Sequence, residues 1–149
     1  MKFDEMTERE QTELLVRHIM KWVYFPIWDV MYTARWALEH DEPISYPYAF
    51  WNGQRDGICV FYAPDEHARS FDPLHDLNDA WLVVERIQDA NIHVCNAPRS
   101  GYVRCAVERY DETTPYFVLG QKAPYVICQA ILFAKGVIDA EGNVIEASE

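Results

Sequence analysis

Basic residues are scarce in this chain: thirteen Lys and Arg stand against twenty-four Asp and Glu, a formal net charge of -11. The deficit is even, -6 over residues 1 to 75 and -5 over 76 to 149, so neither half is basic. Without a Lys/Arg footprint a protein cannot release counterions from duplex nucleic acid or settle on an anionic membrane, and both partners are excluded as expectations. A local arginine pocket for one small anion stays open. Nine of the thirteen basic residues are Arg, whose planar fork suits phosphate or carboxylate, although ordinary salt bridges use the same excess. Long apolar runs are missing from the opening MKFDEMTEREQTELL, which reads as neither a signal peptide nor a membrane span and predicts a cytosolic chain. There is no glycine-rich phosphate loop, GxSxG elbow, HExxH or CxxC pair, so the enzyme classes that these motifs mark are not expected. Cys59, Cys95, Cys105 and Cys128 are 36, 10 and 23 residues apart in apolar or strand-like settings, the pattern of reduced, mostly buried thiols.

What is present is a core. Half of the 149 residues are hydrophobic, enough for one domain over 1 to 149 and too short a chain for two. Thr7 with Glu10 forms a capping-box pattern, and Leu15, Val16, Ile19, Met20, Trp22 and Val23 continue one helical apolar face to about residue 23. Pro26 opens a second predicted helix, IWDVMYTARWALEH, stopping near Asp41 before Pro43. YAFWNGQRDGICVFYA, 48 to 63, reads as a hairpin. Asp76 caps a helix whose apolar stripe is Leu77, Ala80, Trp81, Val84 and Ile87. Three strands follow, NIHVCN, GYVRCAVERY and TPYFVLG, then a helix over APYVICQAILFAKG with Pro124 in its first turn and Gly136 as its stop. Only Gln129 and Lys135 interrupt that last helix, so it must be covered on both sides, by its own domain or by a second subunit. The tail VIDAEGNVIEASE predicts a small ribbon turning at 141 to 143, or a frayed end.

Pairing Ile92 and Val94 with the apolar positions Val103, Cys105 and Val107 selects one register for the second hairpin. It puts His93 and Cys95 on the opposite face with Tyr102 and Arg104, and takes Cys105 away from them, which weakens a zinc site built from the three. Cysteine catalysis by Cys95 with His93 is weakened too, because alternate residues of one strand run parallel without the base reaching the thiol. His67 and His75 with Asp65, Glu66, Asp72 and Asp76 have the donor types for a divalent cation, but acidic loops ordinarily face water. For His75 and Asp76 the ordinary role is turn formation and capping. No metal and no cofactor is expected.

Aromatic density is the more informative feature: twelve aromatic residues lie between Tyr24 and Phe71. The ordinary account is core plus oligomer interface. The functional account is a stacking pocket in which Trp51, Phe50, Phe61 or Tyr62 meets a ring while Arg55, Arg69, Arg99 or Arg104 holds an anionic group. The candidate ligand residues are therefore Trp51, Arg55, Arg69, His75, His93, Arg99, Tyr102 and Arg104.

Three stretches carry a family resemblance: LLVRHIMKW at 14 to 22, FDPLHDLNDAWLVVERI at 71 to 87 and APYVICQAILFAKGV at 123 to 137. The first helix ending in Met-x-Trp, the Pro-x-x-Asp helix opening with an Ala-Trp pair, and the Ala-Pro start of the last helix resemble the phage ABA-sandwich family, small proteins of bacteriophages and prophages. With the strands between them they cover roughly half of the chain, and 24 to 65 is an expanded region without a match. Leu74 and His75 stand where the family tends to have small hydroxyl residues, so Asp76 carries more of the capping here. The resemblance implies an α+β fold, a layered α/β/α sandwich with a mainly antiparallel sheet and three to four helices. It brings no established catalytic residues.

The expectation is a non-enzymatic phage accessory protein in the cytoplasm of the infected host, a homo-oligomer that binds a small anionic, nucleotide-like ligand and sequesters a host immune signal. The alternative is an acidic protein that docks on a host protein or mimics nucleic acid with its carboxylates. A weaker one is a hydrolase using Cys and His or a metal.

Overall fold

The computed structural model describes residues 1 to 27, 35, 38 to 39, 46 to 97 and 100 to 145. The predicted helix after Pro26 falls mostly outside them, and Arg35, Leu38 and Glu39 within it are helical.

After a 3₁₀ turn at Phe3–Glu5, helix α1 spans Glu8–Leu14. Its capping box is complete: the Glu10 amide donates to Thr7 Oγ1 at 3.2 Å and the Thr7 amide to Glu10 Oε1 at 3.1 Å. The sequence predicts one regular helix to about residue 23, and the structure departs from it. Leu15–Met20 is a π-helical segment, closed by Lys21 in the left-handed region at φ 56 and ψ 33. The Val16 carbonyl there accepts from the amides of both Lys21 and Trp22, so the last turn is wide and the chain leaves it sharply. Trp22 thereby drops edge-on against Phe71 and Tyr62, ring centroids 5.1 and 5.7 Å away.

The strands form two sheets, where a single one was expected. In the first, β1 (Val23–Phe25) runs parallel to β2 (Tyr48–Asn52), which pairs antiparallel with β3 (Gly57–Phe61), and β3 with the short β4 (Arg69–Ser70). The second is antiparallel throughout, β5 (Ala90–Ala97), β6 (Tyr102–Arg109) and β7 (Tyr116–Gly120) in that order. Period-two alternation gives the first sheet two apolar faces: Ala49, Ile58 and Val60 join the main core, while Phe25, Tyr48, Phe50 and Cys59 form a smaller core on the other side. Part of the aromatic surplus is therefore packing. Phe50 is 2 % exposed and stacks on Phe61 at 5.3 Å, so these two rings belong to that smaller core.

Helix α2 (Leu77–Glu85) starts as its sequence indicates, with Asp76 accepting from the Asn78 and Asp79 amides at 2.8 and 3.4 Å. Asp79 reaches back to accept from the Asp72 amide at 2.9 Å, and the Pro73 carbonyl accepts from the Cys128 thiol at 3.3 Å. The Asp-Pro-His loop is thus an anchor between α2 and helix α3 (Ala123–Ala134). The buried stripe of α2 is rotated from the predicted one. Ala80 and Val83 are fully buried, and Val84 and Ile87 pack partly buried against the core as predicted, while Leu77 and Trp81 are 53 % and 50 % exposed. The hydrophobic side that meets α3 centres on 80 and 83, with 77 and 81 at its rim.

Helix α3 packs on β6 and β7 and also against α2 and the π-helical segment, so one chain covers it without a second subunit. It approaches the second sheet so closely that a Cβ at Gly120 would sit 2.5 Å from Val126 Cγ2. Gly136, at φ 75, ends it as predicted. The tail does form a ribbon: Ile138 bridges Val144, and Asn143 bridges Lys2 beside the buried Phe3. Three helices and two mostly antiparallel sheets make an α+β sandwich; three is the number of α-helices whose bounds lie among the described residues.

Candidate functional site

Where the first turn of α1 faces the β2–β3 turn, the surface folds into a cleft of about 440 Å³. Asn52 shapes the turn by accepting from the Gln54 and Arg55 amides at 3.1 and 3.3 Å, and Asp56 adopts the left-handed region at φ 51. This brings Trp51 and Arg55 of the predicted residues into one wall. The opposite wall is Thr7, Glu8, Arg9 and Thr12, and Ser70, Phe71 and Asp72 close the end.

Arg9 was not foreseen. Its guanidinium lies 4.1 Å from the Trp51 ring centroid while Nη2 donates to the Pro26 carbonyl at 2.9 Å, which fixes a cation over an aromatic face. Helical spacing gives no hint of it, because residue 9 meets residue 51 only through the pairing of β2 with β3 against α1. The Arg55 side chain makes no hydrogen bond or ion pair among the described residues. Glu8, Asp56 and Asp72 place three carboxylates beside these two guanidinium groups.

His75, the third predicted residue here, stands at the rim. Its Nδ1 lies 2.9 Å from Asp72 Oδ1 and its Nε2 3.1 Å from Glu8 Oε1, so the ring ties the α2 loop to the start of α1. The Asp72 hydrogen bond, helped by the charges of Asp72 and Glu8, raises the imidazole pKa against the opposing effect of burial.

The other predicted residues lie elsewhere. Arg69 on β4 leans over Tyr62, 5.9 Å from the ring centroid, and lines no part of this cleft. Arg99 is outside the described residues. His93, Tyr102 and Arg104 belong to the outer face of the second sheet. The predicted register holds there: Ile92, Val94 and Asn96 pair with Val107, Cys105 and Val103, and Cys95 pairs with Arg104. His93 Nε2 lies 3.5 Å from Glu108 Oε2, and Arg104 sits 4.9 Å above the Phe117 ring. Cys105 is buried on the inner face, its thiol pKa pushed up to about 11 by desolvation, while Cys95 is exposed. Among the described residues no group of three or more His, Cys, Asp or Glu side chains is arranged to hold a metal ion. The eight predicted residues therefore do not form one site.

A capped first helix, an Asp-anchored second and a buried third on an antiparallel sheet define an α+β sandwich. The chain belongs to the Phage ABA sandwich domain family, whose model matches residues 13–132, a range that also runs through 24 to 65. No curated protein and no solved structure matches it. Among the described residues no helix is long and apolar enough to cross a membrane.

Proposed function

We propose that this phage protein is a non-enzymatic accessory protein that binds a small nucleotide-like ligand in the Trp51 cleft. The observation that carries the reading is the Arg9 guanidinium laid on Trp51 beside Arg55, which has no ion pair among the described residues. A planar ring extends that stack, and an anionic group meets Arg55. The mixed lining refines the ligand class. With three carboxylates against two guanidinium groups, a bare multivalent anion is repelled, whereas a base presents N–H donors to Glu8, Asp56 or Asp72 and keeps its phosphate for Arg55. In a phage protein, binding without turnover serves to withdraw a nucleotide signal from the host's immune response.

Native mass spectrometry of the protein against a panel of cyclic and linear nucleotides tests this. The expected result is an unmodified nucleotide at defined stoichiometry, lost in Arg55→Ala; a protein that stays empty across the panel overturns it.

A second reading, docking on a host protein, draws on the outer face of the second sheet. Tyr102, Phe117 and Leu119 are 45 %, 49 % and 59 % exposed there, a patch of the kind that interfaces cover.

A further inference from the structure

The π-helical segment, α2 and α3 all end at the same place, and their C-terminal caps are Lys21, Arg86 and Lys135. With Arg17 and His18 these three line an open cleft of about 1150 Å³ that has no carboxylate in its wall. In a chain of net charge -11 that is a local reversal of sign.

Cations at helix C-termini have an ordinary explanation, since each end carries about half a negative charge that a nearby Lys or Arg offsets. The explanation does not exhaust this cluster. Glu13 lies 3.8 Å from Arg17 but is shared with Arg9 at 4.0 Å, and Asp89 lies 3.1 Å from Lys135 but is shared with Arg109 at 3.4 Å. Lys21 and Arg86 form no ion pair among the described residues. After three helix ends and two shared carboxylates are set against four full cations, a surplus of about 0.5 to 1.5 positive charges is left.

Two further features converge on this cleft. Lys21 holds the left-handed conformation at φ 56, which glycine or asparagine ordinarily fills, at the end of a π-helical turn; strained backbone and π-helical turns both collect at binding sites. Beside it Trp22 is 7 % exposed, and its indole N–H has no acceptor among the described residues.

We propose that this cleft is a second binding site, for a compact, multiply charged phosphate chain. Its chemistry is the complement of the Trp51 cleft: cations without carboxylates, and no exposed aromatic face, because Trp22 is buried. Phosphate oxygens meet Lys21 and Arg86 directly, and Arg17, His18 and Lys135 surround them.

Inorganic tripolyphosphate is the probe, titrated calorimetrically into the wild type, Lys21→Gly, Arg86→Gln and Arg55→Ala. Glycine suits φ 56, so Lys21→Gly removes the charge while relieving the backbone, and its thermal midpoint verifies the fold. The expected result is binding that weakens at least tenfold in Lys21→Gly and in Arg86→Gln, falls steeply with salt, and is unchanged in Arg55→Ala. Absence of binding to the wild type, or equal binding by both cleft variants, overturns the proposal. Neither result bears on nucleotide binding at Trp51, which Arg55→Ala reports separately.

Discussion

The two clefts are built from opposite ends of the same helical run. At its start, the first turn of α1 meets a hairpin turn, and two guanidinium groups share the space with three carboxylates and an indole. At its finish, the π-helical segment meets the ends of two other helices, and the wall is cationic with its aromatic ring sealed away. The contrast shows why a count of arginines does not identify an anion site. A cation helps bind an anion only when the surrounding charges leave it uncommitted, and the fold decides which ones those are.

The sharpest way to break the comparison is to disable each cleft alone and then both together. Trp51→Ala is expected to weaken nucleotide binding by about 1–3 kcal/mol, the usual effect of losing a stacked base, and to leave tripolyphosphate affinity unchanged. In Trp51→Ala combined with Lys21→Gly each ligand is expected to suffer only its own loss, with additivity to about 0.5 kcal/mol in calorimetric titrations. Strong coupling between them would mean that the clefts are one site.

A core change of similar size separates the clefts through the scaffold. In Gly120→Ala the new methyl collides with the buried Val126, so α3 must move, at a cost of about 1–3 kcal/mol in denaturant unfolding. Lys135 at the end of α3 lines the cationic cleft and not the Trp51 cleft, so tripolyphosphate binding is expected to fall while nucleotide binding persists.

The smallest effect belongs to the His75 clasp at the Trp51 cleft. Because its pKa is raised in the folded protein, its contribution is fully present below the ordinary imidazole value of about 6.5 and fades as pH rises through the raised one. Its side chain is 44 % exposed, so solvent screening limits the stabilisation to about 0.2–1 kcal/mol. Comparing His75→Gln with the wild type at pH 5 and pH 8 should show a deficit only at the lower pH. An equal deficit at both would assign His75 a packing role.

Where chemistry is local, the sequence announced it. The Thr7 and Glu10 box, the Asp76 cap, the register of β5 on β6 and the all-round apolar α3 each follow from neighbours in sequence or from a single alternation. What it concealed depends on contacts between distant segments. No residue type marks the change to π-helical pairing after Leu14, and Lys21 occupies a turn that glycine would have signalled. The stripe of α2 was misread by a small rotation, because Leu77 and Trp81 fit the helical period and only the position of α3 exposes them. The candidate site was legible as an inventory of residue types and not as an arrangement. Trp51, Arg55 and His75 come together, while His93, Tyr102 and Arg104 sit on another sheet. Basic residues near the ends of three helices were visible throughout, in RHIMKW, VVERI and LFAKG, but that those ends converge is tertiary information.

The distribution of thiols has a practical use. Cys59, Cys105 and Cys128 are buried, and Cys95 alone is exposed, on a sheet face that lines neither cleft. A maleimide dye or a surface tether added to the native protein will therefore attach at one position, giving a fluorescent reporter or an oriented sensor chip without a single engineered residue.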